Sequence, residues 1–197
     1  MGYSALRFAA FMAEELGEHD FDSFLQARME AIEATFEGRY WHPDGGFFAS
    51  DKWADDRANA MAVLSGLCGA DKYPQIRYLL LSVFQATPYM ENYVLLALCE
   101  MGYKEDAFRR MMTRYSALIT NENSTLWEDF FHLGTRNHAW SGGPATILLR
   151  YFVGIREDLT ADPPADIAPL TRLECRFRHR NGEEVSIRRE RDLVTSK

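Results

Sequence analysis

Residues 124–144 read Ser-Thr-Leu-Trp-Glu-Asp-Phe-Phe-His-Leu-Gly-Thr-Arg-Asn-His-Ala-Trp-Ser-Gly-Gly-Pro. Two clusters that are both polar and aromatic stand here, Trp127-Glu128-Asp129 and Arg136-Asn137-His138-Ala139-Trp140. A turn containing Gly134 separates them, and an apolar helical run follows Pro144. A carboxylate beside one indole and an imidazole beside another suit a sugar site. Indole faces stack on the C–H faces of a pyranose, while charged groups hold hydroxyls and move protons. Loops that carry such residues on a helical scaffold are common places for function. The alternative is a plain capped loop, with Ser124 or Thr125 as an N-cap, Trp127 in the core and Asn137 capping the next helix.

Working outward, the chain is helix after helix. Apolar residues recur at helical spacing over 4–17 (Leu6, Phe8, Ala9, Met12, Ala13, Leu16), and Gly17 stops the run. Asp20 is placed to cap a second helix over 21–36, with a stripe of Phe21, Phe24, Leu25, Ala27, Ile32 and Phe36. The two predict an αα-hairpin. Residues 38–53 change character: Pro43-Asp44-Gly45-Gly46 flanked by aromatics predicts a short β-hairpin that ends near Trp53. Asp55 or Asp56 then caps a helix to about Leu67, with Ala58, Ala60, Met61, Val63 and Leu64 inward. Further helices are expected over 74–85, 89–101, 104–119 and 144–153. Phe108, Met111, Met112, Tyr115 and Leu118 line one side of the 104–119 helix. Pro74 and Pro88 suit first helical turns, and Gly102 and Gly154 suit helix ends.

The expected fold is mainly α, an array of αα-hairpins forming a partial (α/α)6 toroid over residues 1–156. No strict repeat period is present, which counts against ankyrin and tetratricopeptide arrays. Residues 157–169, with Pro163, Pro164 and Pro169, read as a linker. Residues 170–197 read as a β-hairpin and tail, because Asn181-Gly182 separates two alternating runs.

The bulk numbers narrow the function. A chain of 197 residues with 47% hydrophobic and 26% charged residues is an ordinary globular protein with a real core. The net charge of −7 argues against a dedicated nucleic-acid binder. Leu170–Lys197 holds eight Arg or Lys against five Asp or Glu, giving +3 and leaving −10 on the rest. No apolar stretch is long enough to span a bilayer and no signal peptide precedes the first helix, so a cytoplasmic protein without a membrane partner is expected. Cys68, Cys99 and Cys175 are far apart, and the first two lie in apolar runs as small core residues. No Cys or His spacing suggests a metal, and no cofactor motif is present.

Three stretches together carry a resemblance. They are Ala-Thr-Pro-Tyr-Met-Glu-Asn-Tyr-Val-Leu-Leu-Ala-Leu-Cys-Glu-Met-Gly-Tyr at 86–103, Ser-Thr-Leu-Trp-Glu at 124–128, and Asn-His-Ala-Trp-Ser-Gly-Gly-Pro at 137–144. In order and spacing they resemble the C-terminal helices of the catalytic domain of bacterial α-L-rhamnosidases, glycoside hydrolase family 78. Residues 3–70 resemble the preceding helices less distinctively, and the 170–190 hairpin is similar to the opening of the small β domain that follows.

The resemblance implies an (α/α)6 toroid and inverting hydrolysis of α-L-rhamnosides, with two carboxyls roughly 6.5–9.5 Å apart. It implies that Glu128 is the general base and that His138 is a sugar-hydroxyl ligand. Trp127 and Trp140 are candidate stacking surfaces, and Trp53 a candidate further wall of the sugar site. The family's general acid lies on an earlier helix pair and has no counterpart here. About seven helices cannot close a ring of twelve. The chain therefore looks like the back half of a catalytic domain, with a rhamnose-containing glycoside as partner. A homo-oligomer or a partner chain covering exposed helix faces is the further expectation. The other reading is a non-catalytic helical module that binds sugar or a completing chain.

Overall fold

The computed structural model describes residues 2–119, 125–156, 158–178 and 182–190. Its described residues form a mainly α fold: seven α-helices and two antiparallel two-stranded sheets. The chain divides into two compact units, Met1–Gln85 and Ala86–Lys197.

In the first unit, α1 (Gly2–Leu16) and α2 (Asp22–Tyr40) form the predicted αα-hairpin, turning at Gly17 in the left-handed region (φ +69°). The helical period is as read, but the stripes are not buried. No residue of α1 is buried, and α2 buries only Leu25. Phe8 is 64% exposed and Phe21 67%. Asp20 does not cap α2; Phe21 is the N-cap residue and makes no side-chain bond, while Asp22 pairs with His19 at 2.8 Å. The helix also runs on to Tyr40 rather than stopping at Phe36.

The predicted hairpin follows as β1 (Trp41–His42) and β2 (Phe47–Phe48), with Trp41 opposite Phe48. Its aromatics form a small core of their own. Phe48 packs on Phe36 and Trp41 at ring separations of 5.2 and 4.8 Å. Asp55 is the N-cap of α3 (Asp56–Ser65), accepting from the Arg57 and Ala58 amides, and Gly66 closes the helix at φ +84°. Of the residues predicted inward, Ala60 and Val63 are buried, while Ala58 is exposed. Asn59 is buried in their place. Its amide donates to Phe48 O (2.9 Å) and Asp55 O (2.8 Å) and its oxygen accepts from Phe48 N (2.8 Å), which ties hairpin to helix. Buried polar groups persist only when satisfied in this way. α4 (Tyr73–Ser82) completes the unit, with Ile76, Leu79 and Leu80 buried.

The second unit is built on α5 (Pro88–Glu100), α6 (Lys104–Tyr115) and α7 (Gly143–Ile147). α5 buries Val94, Leu95, Ala97, Leu98 and Cys99 on a broad face. The same helix buries Glu91, whose carboxylate takes a two-point bond from Arg110 of α6 at 2.5 and 2.8 Å. Arg114 approaches Glu91 at 3.4 Å and lies 3.8 Å from the Phe130 ring centre. Glu91, in the first turn of α5, is the anchor of a buried ion cluster. Met111 is buried as predicted, but Met112 is exposed: the inward face of α6 runs through Ala107, Arg110, Met111 and Tyr115, and position 112 lies about 100° beyond it.

Gly143 lets α7 approach α5 closely: a Cβ there would lie 2.6 Å from Asn92 Cβ. α7 continues without a break into a π-helical stretch, Leu148–Val153, which ends at Gly154 with φ +92°. A segment with a bridge between Ile155 and Ala161 follows, and Ala165 and Ile167 of the same run are buried. β3 (Arg172–Arg178) and β4 (Glu184–Glu190) then pair in register, Cys175 opposite Ile187. The alternation sends Leu173, Cys175, Phe177, Val185 and Ile187 to one face and most of the charges to the other. Of the predicted turn, Gly182 has φ +88°, while Asn181 lies outside the described residues, as do Ser124 and the tail from 191.

Candidate functional site

The stretch 125–141 is not a capped helix entry. It folds back on itself as a short hairpin-like turn in the second unit. Trp127 and Arg136 form an antiparallel bridge, with the Glu128 amide donating to Thr135 O (3.0 Å) and the Asn137 amide to Leu126 O (3.1 Å). The turn between them is built by Asp129, whose carboxylate accepts from the Phe131 and Leu133 amides at 2.8 and 2.9 Å. His132, Gly134 and Asn137 take positive φ of 61°, 77° and 71°. Asn and His tolerate that region better than most residues, and glycine best. Gly134 is required twice over, because a Cβ on it would lie 2.7 Å from Glu128 Oε2.

This fold-back brings the two clusters together. His138 Nε2 lies 3.6 Å from Glu128 Oε2. The Glu128 side chain is 47% exposed and that of His138 18%, so the carboxylate meets solvent while the ring is mostly covered. Glu128 Oε2 accepts from both the amide and the hydroxyl of Thr135, each at 3.2 Å. The same hydroxyl contacts His138 Nε2. Thr135 was not singled out from the sequence. Only the bridge across the turn shows that a residue seven beyond Glu128 and three before His138 lies between them.

The indoles lie on either side of this group. Trp127 is half-buried. Its ring stacks on His132 at 5.4 Å and carries the Arg136 guanidinium 4.4 Å from its centre, a cation–π contact. Its carbonyl accepts from the buried Ser141 hydroxyl at 2.7 Å, which anchors the turn to the start of α7. Trp140 is exposed and packs on His138 at 4.4 Å. The ring row continues through Tyr89 (6.2 Å from Trp140) to Tyr93 (5.7 Å from Tyr89), both on α5. Neither tyrosine was expected at the site. The result is an apolar wall beside an accessible carboxylate and a partly covered imidazole, the combination that pyranose recognition uses.

Trp53 belongs to the first unit. It is 70% exposed, lies under the Lys52 ammonium (5.1 Å), and borders a cleft of about 230 Å³ with Asp51, Asp55, Ala58 and Gln85. Asp55 is engaged by Arg57, which with the helix-start amides holds its carboxyl below the usual range. Asp51 accepts from the Trp53 amide at 2.9 Å. Among the described residues no group of three His, Cys, Asp or Glu is arranged to hold a metal, and no helix is long and apolar enough to cross a membrane.

A comparison with solved structures bears on this geometry. A GH78 family rhamnosidase of Bacillus sp. GL1 superposes on 94% of this chain with a TM-score of 0.76 and 19% identity. The chain shares its fold with part of a GH78 rhamnosidase. It spans 22% of that protein's length. At this identity the rhamnosidase likeness speaks to fold, and the site must be argued from its own residues. No family model matches the chain, and no curated protein matches it.

Proposed function

We propose that this chain is a glycoside hydrolase module of α-L-rhamnosidase type, residues 1–156 being part of an (α/α)6 toroid. In the reaction, Glu128 takes a proton from water. The water oxygen attacks the anomeric carbon from the face opposite the leaving group, and the departing oxygen receives a proton from a general acid, so configuration inverts. The acid is supplied from outside residues 1–197. His138 holds a sugar hydroxyl, Trp140 and Trp127 offer stacking faces, and the Trp53 cleft offers a second platform for sugar. The observation that carries this reading is the accessible Glu128 carboxylate 3.6 Å from the His138 ring, which itself packs on the exposed Trp140. The fold shared with a rhamnosidase adds support.

The test is hydrolysis of 4-nitrophenyl α-L-rhamnoside, whose nitrophenolate departs without a proton from an acid, with the first-formed anomer followed by NMR. Glu128→Gln is expected to lower turnover by about 10²–10⁴-fold, the usual weight of one proton-transfer group. Equal rates in the two proteins would remove Glu128 from the mechanism.

One observation favours a second reading, a helical module that docks on further helices. α1 buries nothing, and Phe8, Phe11, Leu16, Phe21 and Phe24 are all exposed on the α1–α2 pair. Apolar surface on that scale marks an interface. Its occupant is a helical surface of the toroid, from another polypeptide or from sequence beyond these residues. Sedimentation of the purified chain checks this: self-association relieved by Phe8→Glu with Phe24→Glu is expected, and a strict monomer that binds no hydrophobic dye would dismiss it.

A further inference from the structure

We infer that Thr135 is a positioning residue that selects which oxygen of Glu128 and which nitrogen of His138 face the substrate. The inference rests on the reading of Glu128 and His138 as sugar-site groups, and it adds a residue that neither composition nor motif pointed to.

The argument is one of proton counting. The Thr135 hydroxyl stands between two groups, Glu128 Oε2 at 3.2 Å and His138 Nε2 in direct contact. It owns one proton. An ionised carboxylate only accepts while an imidazole nitrogen can also donate, so both contacts are hydrogen bonds only when the hydroxyl proton goes to Glu128 Oε2. The hydroxyl oxygen is then left to accept, and His138 must donate to it from Nε2–H. The chain of donation therefore runs from His138 through Thr135 to Glu128.

Two consequences follow for the reacting groups. Oε2 is saturated by the Thr135 amide and hydroxyl, and no other protein group among the described residues bonds Oε1. Oε1 is thus the oxygen free to take a proton from water. A neutral ring protonated on Nε2 keeps its lone pair on Nδ1, which likewise has no hydrogen-bond partner among the described residues. Nδ1 is the acceptor offered to a sugar hydroxyl. The backbone enforces the arrangement, since Glu128 N and Thr135 O are paired at 3.0 Å and Gly134 leaves the space that Oε2 fills.

The test uses the full chain labelled with ¹⁵N, at about pH 8.5, where an ordinary imidazole is neutral. Long-range ¹H–¹⁵N correlations report the tautomer of His138. The wild type is expected to carry its proton on Nε2. Thr135→Val keeps the shape but removes the hydroxyl, and should give a His138 spectrum averaged between tautomers. Thr135→Ser should restore the wild-type pattern. An Nδ1–H ring in the wild type, or a Thr135→Val ring unchanged from it, would overturn the proposal. Backbone amide spectra confirm that each variant is folded.

Titration with L-rhamnose separates this proposal from the functional reading beneath it. Binding is expected to move His138 Nδ1 in the wild type, with affinity about tenfold weaker in Thr135→Val, the weight of one lost hydrogen bond. If the tautomers behave as stated but L-rhamnose leaves His138 unmoved, the sugar-site reading falls and the positioning role of Thr135 stands.

Discussion

Glu91 and Glu128 both belong to the second unit and both face a cationic or imidazole partner, yet they are opposites in burial and in bonding. Glu91 is buried, locked by two bonds from Arg110 and approached by Arg114. Glu128 is half-exposed, with one oxygen held by Thr135 and the other open. The first has both oxygens bonded inside the protein, while the second has one oxygen left open. A carboxylate that is to exchange a proton with water must be of the second kind. The contrast shows why a buried ion pair, however well made, is evidence about architecture rather than chemistry.

The comparison can be broken most directly at Glu91. Glu91→Gln leaves two guanidinium groups facing a neutral amide in the interior, and should cost about 3–5 kcal/mol in urea unfolding. A loss under about 1 kcal/mol would mean that water reaches the cluster and that the contrast is false. Gly134→Ala comes next. The left-handed backbone alone costs about 1–2 kcal/mol for a residue with a Cβ, and the new methyl would displace the Glu128 carboxylate. It should weaken L-rhamnose binding while shifting the urea midpoint only modestly; unchanged binding would detach the turn from the site. Glu128→Gln sharpens the comparison from the other side, with a stability change within about 0.5 kcal/mol. A larger loss would make Glu128 a structural residue like Glu91.

The faintest effect appears only in alkali. Burial pushes the Cys68 thiol from 9.0 to about 11 and the Cys99 thiol to about 12. The unfolded chain then gives up its thiol protons first, so stability is intact below pH 9.0 and is lost as pH rises through about 11 and 12. Cys68→Ala with Cys99→Ala should flatten that part of the pH–stability curve, and an unchanged slope would assign the alkaline loss to other groups, buried Tyr115 first.

The elements were legible wherever their ends are written in chemistry. Asp55 caps α3, and Gly17, Gly102 and Gly154 all adopt the positive φ that ends a helix. The three stretches at 86–103, 124–128 and 137–144 pointed to the fold that the comparison returned. What periodicity could not supply was which face is covered. α1 and α2 have the stripe of a buried helix and yet expose it, because a stripe states what a helix can bury and not what lies against it. Asn59, Glu91 and Arg110 were passed over for the converse reason. Polar side chains enter a core only with partners, and those partners are 11 and 19 residues away. At the candidate site, the spacing of Glu128 and His138 was visible, but Thr135 between them depended on the strand-like bridge across the turn.

The π-helical stretch Leu148–Val153 carries a consequence for how this chain tolerates change in length. A wide turn houses a residue that an α-helix would not need, and so acts as slack in the thread. Losing one position there would tighten the coil without snapping it. Because the wide turn absorbs the extra residue, Gly154 and the bridge at Ile155 would keep their direction, whereas the same loss from a regular α-helix would swing them by about 100° around the axis. That slack is where a change of one residue in length would spare both the helix and the aim of the hairpin that follows.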